Sequence, residues 1–282
     1  MLKRVCVVPV CYNAYDDALR FLSSLNVAFG KTKNLHLDVI LADNSIGDAP
    51  AEIVQNNYLF CYQYNKNQNV GYFPAFYRAM QSDLNAANYD YVVVCNVDLV
   101  VGEDFLSKLV ELSFSSEVGL IAPGIFSDRD GRDLNPKIMH RPKLSKLRFM
   151  RLVCSNVLLF RAYGKLVRLR ERARSHSQKR QARSVNVRPV HNNKKIYGAH
   201  GSFMIFPKSY FLRGATIDYP RFLFGEEVFV AEQLRMHQLD VAHIPQLRIF
   251  DKEHASTSQA NVKFISGEHK KSYDYLISNY FK

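Results

Sequence analysis

The sequence lacks several signatures that would each assign a class. No GxGxxG turn follows the first strand-like run, and no GxxxxGK[ST] loop is present, which disfavours dinucleotide dehydrogenases and phosphate-loop kinases. The five cysteines (Cys6, Cys11, Cys61, Cys95 and Cys154) show no CxxC pair and no Cys/His zinc spacing. They read as buried, reduced thiols of a cytosolic protein rather than as a disulfide framework. Long apolar runs are missing too. The longest one outside the strand-like segments, Leu152 to Phe160, is broken by Ser155 and Asn156 and falls far short of the ~20 residues that span a bilayer. Met1 to Val10 is too short and too soon interrupted for a signal peptide. These absences exclude a membrane-spanning chain but not one that lies on a membrane.

Acidic residues are nearly absent from one region. Between Lys137 and Arg183 there are fifteen Lys or Arg and one acid, Glu171. That segment carries +14 of a chain whose net charge is +12, so the remainder is close to −2. The basic character belongs to one region and its partner, not to the fold as a whole. With 282 residues, 47% of them hydrophobic, the chain can bury a substantial core as one domain carrying an elaborate insertion.

What is present alternates. Strand-like runs at 4–10, 35–42, 58–64, 91–95 and 118–122 are separated by helical patterns at 15–29, after Pro50, at 74–84 and at 104–114. Strands alternating with helices predict βαβ units and a mostly parallel central sheet flanked by helices, an α/β class. Residues 137–195 break this pattern as a basic, partly helical insertion. Strand character returns at 196–206, a helix is expected at 226–238, and short strands at 241–244 and 247–250. A tail after 260 carries a short helix at 273–280. The expected organisation is a single catalytic domain over 1–260, with the insertion at about 137–195 and a C-terminal tail at 261–282.

The most informative stretch is Tyr91-Val92-Val93-Val94-Cys95-Asn96-Val97-Asp98. It reads as a strand buried on both faces that ends in a carboxylate. Open α/β sheets bind ligands just beyond the carboxyl ends of their strands. An acid there can hold a divalent cation against phosphate oxygens. Asp43-Asn44-Ser45 follows the second strand, Gly225-Glu226-Glu227 opens a helix, and His254-Ala255-Ser256 follows the last strand.

Together these pieces resemble the family 2 glycosyltransferases, and within them the bacterial rhamnosyl- and galactofuranosyl-type enzymes. Val8-Pro9-Val10-Cys11-Tyr12-Asn13 resembles the opening strand and its Tyr-Asn turn, and Asn69-Val70-Gly71-Tyr72 the loop before the third helix. Asn96-Val97-Asp98 stands where the family has Asp-x-Asp or Asn-Pro-Asp, Gly225-Glu226-Glu227 at Gly-Glu-Asp, and His254 at the late histidine. Asn96 and Glu227 depart from the family acids. The resemblance implies the A-type nucleotide-diphospho-sugar transferase fold and an inverting, metal-dependent transfer from a UDP- or dTDP-sugar to a glycan or lipid-linked glycan. Pro9, Val10, Tyr12, Asp43, Asn69, Gly71, Asn96 and Asp98 would then surround the donor, and Gly201 and Ser202 the sugar site. Asp98 and His254 would hold Mn²⁺ or Mg²⁺. Glu227, with Glu226 second, would take the proton of the acceptor hydroxyl, since a carboxylate at a helix start is held ionised by the helix dipole.

Each of these residues also has a plainer role open to it: Asp43 as an Asx turn, Asp98 as a turn or cap, the paired acids as helix-end stabilisers. In the insertion, Arg161, Lys165, Arg168 and Arg172 share one helix face, while Leu159, Ala162, Leu166, Leu169 and Ala173 favour another. A basic amphipathic helix of this kind suits an anionic membrane surface, which implies a cytoplasmic protein peripheral to the inner face of the plasma membrane. A helix packed on the catalytic domain is the plainer alternative. No nucleic-acid motif is present and aromatics are few in the insertion, so nucleic acid is not expected as a partner. Two other classes stay open: a fold that binds nucleotide-sugars without catalysis, and a basic nucleic-acid binder.

Overall fold

A computed structural model of the chain describes residues 2–81, 85–167, 169, 196–252 and 261–282. The chain divides into two compact units, one made of 1–141 and 196–259 and the other of 142–195 and 260–282. The C-terminal helix therefore belongs with the insertion rather than forming a separate tail.

The first unit is built on an eight-stranded sheet: β1 (Lys3–Cys11), β2 (Leu35–Asp43), β3 (Cys61–Lys66), β4 (Tyr91–Asn96), β5 (Leu99–Val101), β6 (Val118–Ser127), β7 (Phe203–Pro207) and β8 (Asp240–Asp251). Their spatial order is β3-β2-β1-β4-β7-β6-β8-β5. The half from β3 to β4 is parallel, as the alternation of strands and helices predicts, and β6 also runs parallel to β8. β7 lies antiparallel to both β4 and β6, and β5 antiparallel to β8.

Register explains why a site forms at one end. Cys11 of β1 lies beside Asp43 of β2, and Val10 beside Asn96 of β4. The three strands thus end level, and the turns after them share one rim. β4 is buried from Tyr91 to Cys95, because its apolar run is covered on both faces.

On one face lies α1 (Tyr15–Gly30), which buries Ala18, Phe21, Leu22, Leu25 and Ala28 along one stripe. The opposite face carries an aromatic layer. Phe73 of α3 (Tyr72–Gln81) meets Phe76, Tyr219 and Phe229 edge-on, and Tyr219 stacks on Phe229 at 4.8 Å. Phe229 belongs to α8 (Glu226–Met236). Burying such rings contributes a few kcal/mol each, and here that packing anchors the start of α8, which carries the paired acids.

Several boundaries differ from expectation. β5 is three residues long, too short to show a period. The two strands expected around Pro245 are one strand, β8, whose register with β6 slips between Pro123 and Gly124. Such a bulge lets a proline sit in a paired strand. Cys61 is exposed, unlike the other four cysteines, because it opens the edge strand β3.

In the second unit, α5 (Leu144–Cys154), the helical residues 157–167 (α6) and α9 (Val262–Tyr280) are described. Arg151 of α5 pairs with Asp274 of α9 at 3.4 Å, and Phe160 of α6 packs its ring against His269 of α9 at 5.8 Å. The expected short helix at 273–280 is the end of this longer α9, capped by the Asn261 side chain, which accepts from the Lys263 N–H. Arg168, Arg172 and Ala173 lie outside the described residues.

Candidate active site

The rim where β1, β2 and β4 end carries two carboxylate groupings. The first centres on Asp43, which is fully buried. Its Oδ1 accepts the Ser45 N–H at 2.8 Å, an Asx turn at the end of β2. Its Oδ2 accepts from the Tyr64 hydroxyl at 2.8 Å, the Tyr15 hydroxyl at 3.0 Å and Lys66 Nζ at 3.0 Å. Lys66 Nζ also donates to the Ser45 and Gly47 carbonyls. Burial alone would raise the Asp43 pKa. The hydrogen bonds from Ser45, Tyr64 and Lys66 outweigh it and hold the carboxyl below its ordinary value. Asp43 thus spends its acceptor capacity on the chain itself.

Next to it, Asn44 donates from Nδ2 to the Gly71 carbonyl at 2.9 Å, while its buried Oδ1 meets no donor among the described residues. A buried acceptor without a partner is costly, and a ligand N–H or O–H would satisfy it. Asn13 closes the same rim: its N–H donates to Ser45 Oγ at 2.7 Å and its Oδ1 accepts the Ile46 N–H at 2.9 Å. Pro9 is buried, Val10 half-buried and Tyr12 exposed on the β1 side. Asn69 Oδ1 accepts the Gly71 N–H at 3.3 Å. Gly71 has φ +94°, and a Cβ there would run into the Phe222 backbone, with its Cα 2.6 Å away. Only glycine fits.

The second grouping joins the end of β4 to the start of α8. Asp98 lies between β4 and β5 and is half-buried. Glu226 and Glu227 form the first turn of α8, behind Gly225, whose φ of +86° makes the bend. Tyr72 ties the two together. Its hydroxyl donates to the Gly201 carbonyl at 2.8 Å. Burial first, and then the charges of Cys95, Glu226, Asp98 and Glu227, hold this phenol far above its ordinary pKa. The three acids from separate parts of the sequence therefore act on one buried group. Gly201 touches the same place: a Cβ on it would lie 3.0 Å from Glu226 Oε1 and 3.1 Å from Glu227 Oε1. Ser202 lies in the turn just before β7, and its carbonyl accepts the Asn96 N–H at 2.9 Å.

The paired glutamates are half-buried. Burial, and then the neighbouring Glu227 charge, push Glu226 up to about 8. Burial likewise raises Glu227, opposed by its own backbone N–H, by Lys137 and by the Gly201 N–H. Of the two, Glu227 is the one that the Gly201 N–H also steadies as an anion.

Four contributors carried no signal in the sequence. Lys137, counted only as part of the basic stretch, puts its charge on both glutamates and on His200. His200 is pulled down to about 3, by burial first and then by Lys137. It is a neutral imidazole whose Nδ1 accepts from the Ser202 N–H at 3.2 Å, which leaves Nε2 as the N–H donor. Tyr64 and Lys66, alternate residues at the end of β3, close over Asp43. His254 lies outside the described residues. The last residue described before it, Lys252, donates its N–H to the Asp98 carbonyl at 3.4 Å.

Comparison with known proteins assigns the family. The profile of "Glycosyl transferase family 2" matches residues 6–171, more than half of the sequence. The chain belongs to glycosyl transferase family 2. Its fold is that of solved A-type glycosyltransferases. TarS of S. aureus is 10% identical with a TM-score of 0.51, the match covering all of this chain and 40% of that one. A structure described as GalNAc-T7 with UDP, GalNAc and Mn²⁺ is 12% identical with a TM-score of 0.56, covering 99% of this chain and 48% of the other. The chain thus spans less than half the length of these structural neighbours. No curated protein matches its sequence at a significant level.

Proposed function

We propose that this glycosyltransferase is inverting and metal-dependent, and that it moves a sugar from a UDP- or dTDP-sugar to a hydroxyl of a glycan acceptor in bacterial surface polysaccharide assembly. The observation that carries the reading is that both glutamates stand beside Gly201, whose carbonyl accepts from the Tyr72 hydroxyl, and that the charges of Glu226, Asp98 and Glu227 all act on that hydroxyl. The Mn²⁺, UDP and GalNAc named for the GalNAc-T7 structure are consistent with it.

Glu227 is the base. It takes the proton of the acceptor hydroxyl as that oxygen attacks the anomeric carbon, and the bond from that carbon to the diphosphate breaks. Glu226, held above the ordinary glutamate value by burial and by the Glu227 charge, is the second candidate beside it. Asn44 Oδ1 and the Asn13–Ser45 clasp offer the nucleoside an acceptor on a rigid rim. A divalent cation fits the donor set that Asp98 and His254 would offer: a hard carboxylate oxygen with an imidazole nitrogen suits Mn²⁺ better than Mg²⁺. When bound, the cation supplies positive charge to the leaving diphosphate. Asn96 contributes a neutral amide beside it.

The second unit supports a location at an anionic membrane, with a lipid-linked acceptor. Phe149 and Leu152 on α5, and Leu158, Leu159, Leu166 and Leu169 in and after α6, are exposed among exposed Lys146, Arg148, Arg151, Arg161 and Lys165. Exposed leucines beside cations suit a headgroup region better than a nucleic-acid backbone. No described helix is long and apolar enough to cross a membrane. Flotation with anionic vesicles, weakened by Leu158→Ser with Leu166→Ser and absent with neutral vesicles, tests this.

Release of nucleoside diphosphate from a panel of nucleotide-sugars, with and without Mn²⁺, tests the activity. Full transfer by both Asp98→Ala and Glu227→Gln would overturn it. Nucleotide-dependent thermal stabilisation without transfer would leave a binding protein.

A further inference from the structure

We propose a second cation site, unrelated to the acids of the active site, that takes Zn²⁺ on His36, Asp38 and Cys61. One ligand atom from each of these side chains lies within 4.8 Å of the other two. His36 and Asp38 are two residues apart on β2 and so share a face of the sheet. Cys61, the first residue of the edge strand β3, is the register partner of Asp38. The spacing rules for zinc sites fail here because the ligands come from two strands paired across the sheet.

The chemistry is specific. A nitrogen, a hard oxygen and a soft sulfur together favour Zn²⁺ over Mg²⁺ or Ca²⁺, which take all-oxygen sites. His36 Nε2 already lies 3.1 and 3.2 Å from the two Asp38 oxygens, about the separation of neighbouring ligands around a tetrahedral zinc with bonds of roughly 2.0–2.3 Å. Closing the cation onto Cys61 takes a side-chain rotation, and Cys61 is exposed and free to make it. Asp38 is oriented from behind: the Tyr89 hydroxyl donates to its Oδ2 at 2.8 Å. Supporting contacts of this kind position metal ligands. Water completes the coordination. As the bond to sulfur forms, the thiol proton leaves to solvent.

The site sits at the amino ends of β2 and β3, five residues along β2 from Asp43, or about 16 Å at strand rise. Its consequence is mechanical. It clamps the edge strand β3, whose far end supplies Tyr64 and Lys66 to Asp43.

Co²⁺ titration of the reduced full-length protein tests the proposal, read by the thiolate-to-cobalt charge-transfer band and by competition with Zn²⁺. One equivalent should give the band. Cys61→Ser should abolish it, and His36→Ala should weaken Co²⁺ at least tenfold. Asp98→Ala, which removes the other cation site, should leave the band intact. Zn²⁺ should raise the melting temperature of the wild type but not of Cys61→Ser. A wild type without the band, a band that survives in Cys61→Ser, or a band lost in Asp98→Ala would each overturn the proposal.

Discussion

Two carboxylate groupings stand on one rim of the sheet, and the chain treats them in opposite ways. Around Asp43 it supplies two phenols, an ammonium and a backbone N–H, and the acid is held below its ordinary pKa. Around Glu226 and Glu227 it supplies a second carboxylate and little compensation, and Glu226 rises to about 8. In the first arrangement the chain itself fills the acceptors of the acid, whereas in the second it leaves the acids largely uncompensated. Under-compensated acids are candidates for chemistry, whereas an acid saturated by internal partners holds its surroundings in shape.

The sharpest way to break this contrast is to remove the acids of the second grouping. Asp98→Ala and Glu227→Gln should each lower the initial rate of transfer about 10³-fold while leaving the melting temperature nearly unchanged. Asp43→Asn should do the reverse, lowering folding stability by about 2–3 kcal/mol in urea titrations. A depressed carboxyl stabilises the fold above its ordinary value of about 4 and ceases to do so as pH falls through the lower folded value. The gap between wild type and Asp43→Asn should therefore narrow on acidification below about pH 4.

Glu226→Gln sharpens the comparison within the pair. The Glu227 charge pushes Glu226 up to about 8, so Glu226→Gln should remove any step in the pH–rate profile near that value and leave the acidic limb, set by Glu227, in place. Stability follows the opposite sign from Asp43. The cost of an acid raised to about 8 is absent below the ordinary glutamate value of about 4.3 and grows as pH rises toward the folded value. Glu226→Gln should therefore gain stability on wild type as pH rises from about 5 to about 8, read in urea titrations across that range. The smallest effect should come from Gly201→Ala. Its methyl would stand 3.0–3.1 Å from both Oε1 atoms, and flexible carboxylates can yield, so a severalfold loss in kcat is expected without loss of fold.

The acidic grouping was the legible part. Asp98 ends a buried apolar run and the glutamates follow a glycine at a helix start, and both signals are local. The enclosure of Asp43 was not legible, because Tyr15, Tyr64 and Lys66 reach it from α1 and β3 across 28, 21 and 23 residues. Its expected role as a direct donor contact is one that its internal partners already compete for. His200 carried no signal as a lone histidine. Its neutral state comes from burial and from Lys137, neither visible in one dimension. The parallel half of the sheet followed from alternation, but β5 was too short for a period and Pro245 divided β8 on paper and not in space. The extent of α9 was hidden by Gly267 and the polar Lys270-Lys271 within it.

Gly71 has one more implication. Its bare α-carbon lets the loop after β3 press on the backbone at Phe222, and the neighbouring Tyr72 N–H grips the Phe222 carbonyl at 3.0 Å. Three residues further on, that second loop bends at Gly225 into α8. Anything that displaces the first loop should therefore also displace the start of α8 and its paired glutamates, so the two loops would respond together as one kinetic event.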